Sequence, residues 1–142
     1  MSIEIVLLSN ANAELLKDIA PEVFDYEINP QYLKAFLGDP CHIMYLAIDN
    51  KVVVGMASAV EYFHPDKPPQ LWINEVGVAL SHRKRGIGRQ LVQKLVETAK
   101  DRGCVYAWLG TDTDNVAAQA CFSSVPEGEP PQSFLLYEWE LD

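Results

Sequence analysis

At the start of the chain Ile3, Ile5 and Leu7 alternate with polar or less buried positions, the two-residue period of a half-buried strand. Asn10 or Asn12 then offers a cap for a helix carrying Leu15, Leu16 and Ile19, which Pro21 interrupts. A second short helix is predicted from Pro30, at its first turn, through Tyr32, Leu33, Phe36 and Leu37 to a stop at Gly38, Asp39 and Pro40.

After that stop the period changes. Residues 42–48 and 52–62 are rich in β-branched and aromatic side chains, and Asp49, Asn50 and Lys51 between them predict a hairpin turn. The prolines of the stretch from His64 to Pro69 lack backbone donors, so this stretch is predicted to be a loop that cannot continue a ladder. Residues 71–80 read as the next strand. From Gly86 onward Leu91, Val92, Leu95, Val96 and Ala99 fall on one helical face, with Lys100 and Arg102 in the last turn and Gly103 as the stop. A buried strand over 105–109, a short helix over 115–122 and a final strand over 134–141 complete the expected order.

The 142 residues fit one domain, 1–142, and 49% apolar with 22% charged residues is an ordinary soluble composition. The first eight residues carry Glu4 and no basic run, so they read as neither a signal peptide nor a membrane span, and the expected location is cytoplasmic. Cys41, Cys104 and Cys121 are odd in number and widely spaced, which argues for reduced core thiols over disulfides or a thiolate metal site. His42, His64 and His82 lack metal-ligand spacing, and His42 reads as a buried structural histidine; no metal is expected.

Charge narrows the function further. Twenty acidic residues stand against 11 basic ones, for a net charge of −9, yet four basic residues gather at Arg83, Lys84, Arg85 and Arg89. An acidic body with one basic knot disfavours non-specific nucleic-acid binding, which needs an extended basic surface. It suits a small anion together with a cationic substrate.

The knot lies between a predicted strand and a predicted amphipathic helix and contains Gly86 and Gly88. Unpaired amides in a first helical turn, a partial positive charge and glycines that admit close approach together make a pyrophosphate cradle. A P-loop would end Gly-Lys-Ser/Thr, whereas Gly88 is followed by Arg89 and Gln90. A dinucleotide fold would place its glycine turn after the first strand.

Arg83-x-x-Gly86-x-Gly88 resembles the acetyl-CoA signature of the GNAT superfamily of N-acetyltransferases. The preceding run Leu71 to Val78 resembles that family's bulged fourth strand, and Thr111, Asp112, Asp114, Asn115, Ala117 and Ala118 resemble the entry to its last helix. More narrowly, His64-Pro65-Asp66-Lys67-Pro68 before Trp72-Ile73-Asn74-Glu75 resembles the branch containing type I aminoglycoside 3-N-acetyltransferases. The implied fold is a single α/β domain with a central mixed, mostly antiparallel, splayed sheet flanked by helices.

The implied activity is direct transfer of an acetyl group from acetyl-CoA, a cosubstrate, to a primary amine of a small aminoglycoside-like or polyamine-like cation. By resemblance, the main chain of Val76 and Val78 meets the pantetheine arm and the run Arg83, Lys84, Arg85, Gly86, Ile87, Gly88, Arg89 holds the pyrophosphate. Asn115 either meets the thioester end or caps a helix. An amine of pKa near 10 is almost wholly protonated at neutral pH, so a base helps, and Glu75 in an otherwise apolar strand is the candidate. The alternative for Glu75 is a structural acid paired with the basic loop.

Where the family commonly has a thiol-protonating tyrosine, this chain has Phe122. A CoA thiol of pKa near 8.5 costs only about 2 kcal/mol to release as thiolate at neutral pH, so transfer is expected to slow rather than stop. The departure keeps open a non-catalytic acyl-CoA sensor, and the acceptor class keeps open a protein or peptide amine. No nucleic-acid or membrane partner is expected; a homodimer is admitted by the family alone.

Overall fold

Five strands form one sheet in chain order in the computed structural model, which describes residues 2–141. β1 (Glu4–Leu7), β2 (His42–Asp49), β3 (Val52–His64) and β4 (Lys67–Val78) run antiparallel, and β5 (Ala107–Trp108) pairs parallel to β4. The predicted mixed, mostly antiparallel sheet is therefore the one found. β3 lies at its centre and is buried without interruption from Val53 to Ala59, which explains why its sequence is apolar rather than alternating.

Helix α2 (Ile87–Asp101) covers one face with the stripe Ile87, Leu91, Val92, Leu95 and Ala99. Each of the fully buried Ile87, Leu91 and Leu95 contributes about 1.5–3 kcal/mol of burial. A hydrogen bond of 2.7 Å between the Tyr45 and Thr98 hydroxyls fixes α2 on β2. Helix α1 (Pro30–Gly38) starts where predicted, with Asn29 accepting from the amides of Gln31 and Tyr32. Together with the segment before it, α1 lies over the opposite face, where Leu8, Leu16 and Val23 enter the core. Helix α3 (Val116–Ser123) packs beside α2.

Five expectations are corrected. The helix expected after Asn10 or Asn12 is only a 3-10 turn, Ala13–Lys17. Asn12 spends its side chain on the preceding turn, accepting from Ser9 N and donating to Leu7 O. The chain is then drawn extended, because Val53 N donates to Asp18 O and Ala20 N donates to Val53 O. The stretch from His64 to Pro69 is no loop: the ladder resumes at His64↔Lys67 and Tyr62↔Gln70, so Phe63 alone faces Pro68 and Pro69. Pro68 and Pro69 sit in that bulge and Pro65 in the two-residue turn, where their missing donors are not needed.

The strand expected over 105–109 is paired only at Ala107 and Trp108, with Val105 and Tyr106 exposed at the sheet edge. The expected strand over 134–141 does not form. Phe134, Leu135, Leu136, Tyr137, Trp139 and Leu141 are all exposed, and the described part of this segment has no ladder partner to bury them. The Phe134 ring lies close over Gly110. His42, expected in the interior, is exposed and packs its ring on Phe36 at 5.4 Å.

Candidate functional site

The site is organised by a break in β4. The register shifts between Ser58 and Ala59, so Ser58 faces Glu75, Ala59 faces Ile73, and Asn74 is the extra residue of a bulge. On the other side of β4 the last rung shared with β5 is Trp72↔Trp108. Beyond that rung the two strands part, and the outer edge of β4 from Ile73 to Val78 has no strand partner among the described residues.

Ala79 N donates to Val54 O at 2.8 Å, which sets the alternation of the β3–β4 ladder above the bulge. Residues 75 and 77 bond to β3; the main chain of Val76 and Val78 turns outward to the open edge. Their side chains point the other way, toward α2 at Gly88. Val78 O already accepts from Arg83 Nε at 3.1 Å.

The open edge leads into the basic turn. After a 3-10 turn, Leu80–His82, the backbone enters the left-handed region at Lys84 (φ 65°) and Gly86 (φ 78°). Gly86 is the N-cap of α2; no side chain caps the helix and no acid lies in its first turn, so the amide donors there face outward unopposed. Lys84, Arg85 and Arg89 are exposed and make no ion pair among the described residues. Arg83 lies 3.8 Å from Glu22, both in solvent, a pair of little energetic weight.

Two members of this run also pack in the interior. Ile87 buries its side chain in the core and has only its amide to offer a ligand. Gly88 is buried, and a β-carbon there would meet Cys121 Sγ at 2.9 Å, so its small size serves the packing of α2 on α3.

Glu75 lies at the other end of the open edge, on the face opposite α2. It lines a cavity of about 370 Å³ with Phe24, Asp25, Glu27, Tyr32, Phe36 and Met44 among its neighbours. The carboxylate is exposed and forms no ion pair among the described residues. Its presence in the strand is thus explained by solvation, and the alternative of pairing with the basic loop is not realised. A smaller hollow of about 230 Å³ lies at the far β3–β4 hairpin, lined by Tyr62, His64 and Gln70.

The same face carries Trp72, stacked on Trp108 with ring centres 6.0 Å apart. Trp108 Nε1 donates to the Tyr62 hydroxyl at 2.9 Å, which donates to Gln70 Oε1 at 2.7 Å. Glu61 of β3 is turned to the α2 side, where Arg102 Nη1 donates to it at 2.9 Å.

On α3, Asn115 caps the helix, its Oδ1 accepting from Ala118 N at 3.0 Å. Phe122 is half-buried against the core and supplies no hydroxyl. Burial pushes the Cys121 thiol up, which disfavours its thiolate. Sequence reasoning passed over Asp49, whose carboxylate accepts from His82 Nε2 at 2.7 Å; the two are far apart in sequence and no local motif links them. Among the described residues no group of three His, Cys, Asp or Glu is placed to hold a metal, and no helix is long and apolar enough to cross a membrane.

A family model described as the acetyltransferase (GNAT) family matches residues 10–124. L-2,4-diaminobutyric acid acetyltransferase of Shouchella clausii (strain KSM-K16) is 33% identical over 87 residues, 61% of this chain and 46% of that protein. N-acetyltransferase 8 of Homo sapiens is 28% identical over 102 residues, 71% of this chain and 45% of that protein. The chain thus spans about half the length of the curated relatives it matches. The solved structure of AAC(6')-Iy with the bisubstrate analog CoA-S-monomethyl-acetylneamine superimposes with a TM-score of 0.76 at 16% identity, covering 98% of this chain and 99% of that one. That likeness shows the fold alone.

Proposed function

We propose, on the premise that this chain belongs to the acetyltransferase (GNAT) family, that it moves an acetyl group from acetyl-CoA directly to a primary amine of a small cationic acceptor. The observation that carries the reading is the open edge of β4, with an unopposed helix N-terminus at one end and a free carboxylate at the other. The pyrophosphate would rest on the amides of residues 83–89, with Arg83, Lys84, Arg85 and Arg89 adding positive potential. The pantetheine arm would run along the outward main chain of Val76 and Val78, placing the thioester near the bulge at Asn74. That CoA can occupy this fold is supported by the analog bound to AAC(6')-Iy.

An acceptor ammonium entering the cavity from the α1 face gives a proton to Glu75, directly or through water. The freed amine attacks the thioester carbonyl, the tetrahedral intermediate collapses, and the thiolate leaves. Asn115 spends its side-chain oxygen on the cap, and only its amide nitrogen is left for the thioester end. With Phe122 in place of a hydroxyl donor, protonation of the leaving thiolate falls to water.

Asp25, Glu27 and Glu75 favour a cation, and the acceptors named for AAC(6')-Iy and the Shouchella clausii relative carry more than one amine. An aminoglycoside-like or diamine-like acceptor is therefore our reading. The narrower resemblance points to 3-N acetylation while AAC(6')-Iy is named for another position, so no position is assigned. The acidic composition argues against a nucleic-acid partner, and a homodimer rests on the family alone.

Phe122 favours a second reading, a module that binds acyl-CoA without rapid transfer. CoA thiol release measured with aminoglycosides, polyamines, diaminobutyrate, amino acids and peptides separates the two. Release with cationic amines supports transfer. Tight acetyl-CoA binding with no release in any arm supports the sensor.

A further inference from the structure

We infer that the shielded His82–Asp49 pair is the positioning device of the basic turn, setting affinity for the CoA pyrophosphate without touching it. The inference rests on the acetyl-CoA reading above and adds two residues to it. His82 Nε2 donates to Asp49 Oδ2 at 2.7 Å, and the side chains are only 16% and 11% exposed. The second ring nitrogen, Nδ1, is 2.7 Å from Ser81 Oγ, so the imidazole is held at both ends.

The other partner is anchored with equal care. Asp49 ends β2 opposite Val52, and the two turn residues between them, Asn50 and Lys51, are both left-handed, at φ 50° and 69°. Two left-handed residues match the twist of a two-residue hairpin, but Lys51 adopts this conformation without being glycine, at a cost in backbone strain. The hairpin is pinned from outside by Val53 N to Asp18 O, Ala20 N to Val53 O and Ala79 N to Val54 O. Asp49 therefore presents its carboxylate from a fixed frame.

The basic turn needs such a frame. Its left-handed residues Lys84 and Gly86 are exposed and α2 has no side-chain cap. Arg83 tethers it through Val78 O and Glu22, but Arg83 and Glu22 both stand in solvent. The His82–Asp49 bond is the tether shielded from water, where a charge-assisted hydrogen bond keeps its strength. With it intact, the amides of the turn wait in the bound geometry; without it, binding must also order the turn.

The test is calorimetric titration of CoA into the wild type, His82→Gln, Asp49→Asn and the double variant, with steady-state kinetics alongside. We expect CoA affinity and acetyl-CoA KM to worsen about tenfold in each single variant and no further in the double, the signature of one shared interaction. kcat at saturating donor and KM for the acceptor should stay within about twofold, because neither residue reaches the reacting atoms. S-acetylpantetheine, which lacks the pyrophosphate, should be used equally well by wild type and variants. A general structural role would instead move both donors and the acceptor together, and that result overturns the inference. Asp49→Asn keeps size and shape, and serves if His82→Gln does not fold. Wild type that binds CoA, with folded variants binding it equally well, overturns this inference alone; wild type that does not bind CoA overturns the acetyl-CoA reading as well.

Discussion

The donor end and the acceptor end of the site are built from different materials. The donor end is main chain: the outward edge of β4, the turn from Arg83 to Gly86 and the first amides of α2, whose Ile87, Leu91 and Leu95 lie in the core. The acceptor end is side chains, with Asp25 and Glu27 on an irregular segment before α1 and Glu75 projecting from the strand toward them. A backbone site suits a ligand part that does not change, in the proposed function a pyrophosphate, while substitutions on a loop retune the other end without disturbing the core. The two ends touch at Gly77, where a β-carbon would come within 2.3 Å of Val23 O, so the acceptor segment lies directly on the donor strand.

That division is open to attack at four places, the strongest first. Glu75→Gln should lower kcat near neutral pH by about a hundredfold, with a smaller defect at high pH where the acceptor amine loses its proton unaided, and with acetyl-CoA KM unchanged. A pH–rate profile identical to wild type would remove Glu75 from the chemistry. Gly77→Ala should cost about 1–3 kcal/mol of stability, because Val23 backbone must yield, and should raise the acceptor KM more than the donor KM. Equal increases would mean the two ends do not behave separately.

Gly86→Ala tests the donor end by itself. No atom lies within 4 Å of the added carbon, so the cost is that of holding φ 78° with a side chain, about 1 kcal/mol or a fivefold loss of CoA affinity. Acceptor KM should not follow it. Phe122→Tyr should give the smallest change, a gain in kcat of a few-fold, bounded by the roughly 2 kcal/mol that a thiol acid has to offer. No gain would indicate that thiolate release does not limit turnover.

The strand, turn and helix of the proposed donor end were legible in the sequence because their determinants are local. Gly86, the basic run and the apolar stripe of α2 lie within 20 residues, and each acts through neighbours in the chain. The central strands and α1 were legible for the same reason, from β-branched and aromatic runs, Pro30 at a first helical turn and a stop at Gly38. What failed depended on distant partners. Ile19 is drawn into a bridge with Val53, and Pro68 and Pro69 are absorbed by a bulge opposite Phe63. The cavity beside Glu75 left no local pattern, since its lining comes from Leu8 just after β1, the 3-10 turn, an irregular segment, α1, β2 and β4.

The segment from Phe134 to Leu141 holds six large apolar side chains in solvent. Its meaning is colloidal as much as structural. Near pH 7 the net charge of −9 keeps molecules apart and tolerates so adhesive a strip. Near the sequence isoelectric point of about 4.7 that repulsion vanishes while the strip is unchanged, which makes mild acid the condition in which this protein leaves solution.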